Sequence, residues 1–110
     1  MLHAIVRMMI PFKKLAEALE ILSPVAQRTS FELGCVSCYV YRDVDVPNAI
    51  MIEEMWKDEK VLALHLRSDE YRKILLVAEM ASAPPEIKFY KILQTTGVET
   101  VEEARSSMGE

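Results

Sequence analysis

The chain has 110 residues, enough for one domain. With 51% hydrophobic and 27% charged residues, 3 glycines and 5 prolines, it is neither disordered, nor collagen-like, nor a disulfide-stapled mini-protein. Acidic residues outnumber basic ones 17 to 13, a formal charge of −4, which argues against a nucleic-acid module built on clustered Lys and Arg.

Leu2 to Ile10 is an apolar run with β-branched members, closed by Pro11, and is predicted as a strand. It lacks the basic region, sustained apolar run and small-residue cleavage site of a signal peptide. No stretch approaches the roughly 20 apolar residues of a membrane helix. A cytoplasmic protein without membrane contact is therefore expected. Phe12, Leu15, Leu19, Leu22 and Ala26 then recur at helical spacing, with Lys13, Lys14, Glu17 and Glu20 opposite. Pro11 suits the first turn. Pro24 lacks an N–H and crowds the preceding turn, so a kink or break is expected near Ser23. Glu32-Leu33-Gly34 ends this unit.

Cys35 to Asp43 is rich in β-formers and reads as a second strand; Val44 to Asn48 is a turn, and Ala49 to Trp56 a third strand. Asp58 caps a short helix through Leu66, and Ser68-Asp69 caps another running to about Ser82, where Pro84-Pro85 follows. Ile87 to Gln94 alternates and is a fourth strand. Residues 1–96 make the folded domain. Residues 97–110 form an acidic tail, in which Thr100 to Glu103 resembles a capping box and supports one or two helical turns.

The order β-α-β-β-α-α-β gives an α+β fold: a ferredoxin-like, split β-α-β antiparallel sheet with helices on one face. Its strands carry large apolar residues on both sides. A bare second face would be an aggregation-prone patch, so the economical arrangement is a homodimer with sheet packed on sheet, its strand methionines filling the interface.

Glu54-Met55-Trp56, Asp58, His65-Leu66 and Ser68 spell E-x-W-x-D-x6-H-L-x-S, with Gly34-Cys35 and Tyr41-Arg42-Asp43 upstream. This pattern resembles the antibiotic biosynthesis monooxygenase family over about residues 2 to 95. The resemblance implies a dimeric α+β barrel and, as in the quinol oxygenases of the family, chemistry without a cofactor. Three departures stand out. Cys38 occupies a position that is Tyr in many members, and Ile52 one that is Asn in the polyketide-tailoring branch. The haem-degrading branch's strand-one Asn and helix His correspond to Val6 and about Leu75, so haem has no evident axial nitrogen and is not expected.

The implied activity is a cofactor-independent monooxygenase of a quinol or related phenol. Triplet dioxygen reacts slowly with closed-shell molecules, but an ionised phenol is electron-rich enough to pass it one electron. His65, with an ordinary pKa near about 6.5, is the candidate base. Glu54 orients it or favours its charged form. Trp56 offers a flat wall to an aromatic substrate, and Tyr71, Tyr41 and Tyr39 are candidate donors to its oxygen. Each also has an architectural reading: a core tryptophan, an ordinary ion pair, a packing histidine, packing tyrosines. His3 reads as a strand-surface residue. Cys35 and Cys38, three apart on a strand, should face opposite sides as inert thiols, without a disulfide or zinc. Two other functions stay open, a non-catalytic small-molecule binding or stress-response protein and an isomerase of a small hydroxy-ketone.

Overall fold

The computed structural model describes residues 1–109. Its elements are β1 (Leu2–Met9), α1 (Phe12–Thr29), β2 (Cys35–Arg42), β3 (Ala49–Trp56), α2 (Glu59–Leu66), α3 (Asp69–Ala78), β4 (Glu86–Lys91) and α4 (Val98–Gly109). The four strands form one antiparallel sheet in the order β2-β3-β1-β4, the ferredoxin-like arrangement expected from the order of elements.

Strand parity decides which side chains meet the helices. Leu2, Ala4, Val6 and Met8 of β1 are buried beside Ile50, Ile52, Glu54 and Trp56 of β3, with which they pair. Leu15, Ala18, Leu22 and Val25 of α1 and Ile74 and Val77 of α3 close the main core over this face. Trp56, Leu2 and Leu62 form a smaller cluster beneath α2. The alternate residues, among them Ile5, Met9, Met51 and Met55, lie half-buried on the open face.

Several local expectations are corrected. α1 runs unbroken through Pro24. Its buried side includes Leu22, Val25 and Ala26, so packing on both sides of the proline outweighs the lost backbone bond. Phe12 stands out of the core, 67% exposed, and Ala18 and Val25 fill the stripe instead. The third helix ends at Ala78, well before Ser82, and β4 ends at Lys91 rather than Gln94. The helices lean away from β4, leaving Ile87 and Phe89 on the helical side of the sheet but exposed. The tail forms a 12-residue helix, longer than two turns, and it starts at Val98. Thr100 therefore lies inside it, donating to the hydroxyl of Thr96 rather than capping. The side chains of α4 are exposed from Val98 to Ser107. No helix is long and apolar enough to cross a membrane.

Candidate functional site

Asp58 and Ser68 cap α2 and α3 as expected, accepting from the backbone N–H of Val61 and Tyr71. The Ser68 hydroxyl also donates to the carbonyl of His65 at 2.6 Å. These caps pin the turn that carries His65. The histidine sits in the last turn of α2, where the negative end of the helix dipole favours a positive ring, and it points down onto β3.

There it meets Glu54 and Trp56, which share the helix-facing side of β3 two residues apart. The imidazole stacks on the indole with ring centres 4.6 Å apart. Tyr71 packs edge-on against the other side of the imidazole at 5.3 Å. His65 Nε2 lies 3.1 Å from Glu54 Oε2, and Trp56 Nε1–H donates to Glu54 Oε1 at 2.8 Å. Relative exposures of 0% for His65, 0% for Trp56, 2% for Glu54 and 6% for Tyr71 make this a sealed cluster. The indole face expected to meet a substrate is thus taken by the imidazole. Tyr41 is not part of the cluster. It pairs with Met51 on the open face and is 44% exposed.

A further member has no motif to announce it. The Glu32 carboxylate lies 3.1 and 3.2 Å from His65 Nδ1, so the ring is held between two carboxylates. Gly34 makes this approach possible. Its φ of +80° is a left-handed conformation, and a Cβ there would sit 2.6 Å from the Val61 side chain of α2. Only a bare backbone lets the α1–β2 loop close over the His65 helix.

The electrostatics follow from this geometry. An ionised carboxylate only accepts, so two of them satisfied by one imidazole call for N–H on both ring nitrogens, the imidazolium form. Burial is the largest single influence and opposes the charge. The bond and charge of Glu54, then those of Glu32, together outweigh it, and the His65 pKa is raised. Tyr71 is shifted upward by burial and by the nearby Glu54 charge.

The two cysteines correct another expectation. A bulge at Val36 lets Cys35 pair with Trp56 and Cys38 with Glu54, so both thiols face the helices despite their odd spacing. Both are free. Burial, then the Glu54 charge, lifts the Cys35 thiol to about 11 and Cys38 higher still, so both stay protonated and inert. Among the described residues no three His, Cys, Asp or Glu side chains converge as a metal site. The His65 nitrogens, each aimed at a different carboxylate, diverge.

Beside the cluster a groove of about 410 Å³ runs between α1 and β2, lined by residues including Ser23, Gln27, Ser30, Ser37 and Cys38. Cys38 is the partner of Glu54 across the strands, so the groove floor adjoins the sealed cluster.

The sequence pattern of the antibiotic biosynthesis monooxygenases matches residues 1–75. No curated protein sequence matches this chain. Among solved structures, a conserved protein from Methanosarcina mazei Go1 superposes with a TM-score of 0.76 at 27% identity, covering 82% of this chain and 90% of its own. A Deinococcus radiodurans protein bearing the same family name gives 0.80 at 20% identity, with 88% and 97% covered. One from Nitrosomonas europaea, also so named, gives 0.77 at 20%, with 86% and 100% covered. At such identities the last two speak for the fold alone. With more than half its length matched, the chain belongs to the antibiotic biosynthesis monooxygenase family.

Proposed function

We propose that this chain is a monooxygenase that oxidises a quinol or related phenolic molecule with dioxygen and no resident cofactor, His65 serving as the base. The observation that carries the reading is a buried imidazole clamped between Glu54 and Glu32, beside a groove of a size suited to one or two aromatic rings. The neutral ring takes the phenolic proton. The phenolate keeps the electron pair and passes one electron to dioxygen, and the radical pair recombines on carbon. For a substrate CH₂ next to the ring, R₂CH₂ + O₂ gives R₂C=O + H₂O, so no external reductant enters. Trp56 and Glu54 hold the imidazole in place. Two free thiols suit a reducing compartment, and the proposal places the enzyme in the cytoplasm.

The test is oxygen uptake in chelated buffer with a panel of hydroquinones and anthrones. Uptake should grow as pH rises through the elevated His65 pKa, because only the neutral ring accepts a proton. No uptake across the panel, or unchanged uptake by His65→Gln, overturns the reading. One observation favours a second reading: every polar atom that joins Glu54, Trp56 and His65 is already satisfied within the cluster. A non-catalytic binding protein would show thermal stabilisation by a ligand that is never consumed.

We further propose that the open face is covered by a second copy, sheet on sheet. Met51, Met55, Ile5 and Met9 line it, with Tyr39 and Tyr41 half-exposed beside them. Sedimentation velocity at micromolar concentration should give a dimer, and Met51→Glu should shift it toward monomer. Single chains for the unaltered protein would rule the arrangement out.

A further inference from the structure

The hydrogen-bonded chain Glu32···His65···Glu54···Trp56 has two ends, and they differ. At one end the Trp56 indole is a donor only, with no lone pair to receive a proton, so nothing passes beyond Glu54 Oε1. Tyr71 of α3 packs against the ring edge-on without a hydrogen bond to it, and the thiols of Cys35 and Cys38, cross-strand neighbours of Trp56 and Glu54, stay protonated. At the other end the Glu32 side chain is 29% exposed, against 3% for Glu54 and 0% for His65. It is the one member of the chain in contact with water. It also lies two residues beyond Ser30, which lines the groove.

We propose that Glu32 is the proton port of this cluster: the carboxylate through which the buried imidazole gains and loses its proton. Its use in catalysis rests on the reading above. There a phenol O–H breaks, the proton bonds to a Glu32 oxygen, and a Glu32 proton passes to Nδ1 of the neutral ring. The phenolate retains the electron pair and the total charge is unchanged. In the absence of substrate the same path runs outward, from Nδ1–H to Glu32 to water. In this scheme Glu32 meets the phenolic proton and relays it, so it acts as a catalytic residue, with His65 as the base behind it.

The experiment reads His65 itself. In ¹⁵N-labelled full-length protein, exchange of the His65 ring protons with water is measured by saturation transfer in the unaltered chain, Glu32→Gln and Glu32→Asp. His3, the chain's other histidine, lies on the open face and is the internal control. The glutamine amide keeps the shape but cannot carry a proton. It should slow His65 exchange at least tenfold and lower the midpoint of its titration, while His3 is unmoved. Aspartate should restore a large part of the rate. Equal or faster exchange in Glu32→Gln overturns the proposal, as does aspartate failing to outperform glutamine. These rates are read without substrate. A chain that oxidises no quinol yet shows Glu32-dependent exchange keeps the port and loses only the monooxygenase reading.

Discussion

Replacing His65 by alanine is expected to destabilise the fold by about 3–5 kcal/mol, the range for removing one partner of a buried charged pair. The side chain that disappears is fully buried and bridges two carboxylates. Without it Glu54, 3% exposed, retains only the Trp56 indole as a partner, and the space left is too enclosed for easy hydration. Urea unfolding near pH 6 measures the loss. A change under about 1 kcal/mol would mean the cluster is far more hydrated than its geometry states. Adding Glu54→Leu to the alanine variant should recover part of the loss, because the stranded carboxylate goes with it.

The same histidine sets a pH dependence. Its folded pKa is raised, so the folded state binds the proton more tightly than the unfolded chain, whose histidine titrates near about 6.5. This stabilisation is fully present below that value and is lost as pH rises through the folded pKa. Stability of the unaltered protein should therefore decline across that window, and His65→Ala should remove this part of the slope. The proposed activity has the opposite trend, since the neutral ring is the base. The proposed turnover would be fastest where the cluster holds the fold together least.

Much of this arrangement could be read from the sequence. Asp58 and Ser68 are strong caps beside apolar periodicity, and they fix where α2 and α3 begin. Strand parity puts Glu54 and Trp56 on one side, and helical spacing from Asp58 turns His65 toward them. Other parts depend on distances that no local pattern encodes. Glu32 reaches His65 only because Gly34 allows the loop to fold against Val61, a contact between residues far apart in the chain. The bulge at Val36 shifts strand parity by one, which is why Cys35 and Cys38 share a side that a regular strand denies them. The Pro24 penalty is local, whereas the burial that offsets it comes from α1 packing on α3 and β2. Tyr41 is a candidate donor by residue type, but its pairing with Met51 sends it to the other face.

Trp56 carries the second large effect. Trp56→Ala should cost about 3–5 kcal/mol, the usual range for emptying a buried aromatic site, because the indole is 0% exposed and anchors the cluster with Leu2 and Leu62. Trp56→Phe separates packing from polarity. It keeps a ring against His65 but removes the donor to Glu54 Oε1, so a smaller loss of about 1–3 kcal/mol is expected for the unpaired acceptor. Far-UV circular dichroism follows both, since the chain's single tryptophan is lost as a probe. If alanine costs no more than phenylalanine, packing is not what Trp56 contributes. Kinetics then separate two roles for the indole. A wall of the substrate site would raise KM when changed to phenylalanine. A support for the Glu54–His65 pair, with its face already covered by the imidazole at 4.6 Å, should lower kcat and leave KM within about twofold. A tenfold rise in KM at constant kcat would put the indole against the substrate after all, and would require the cluster to open before binding.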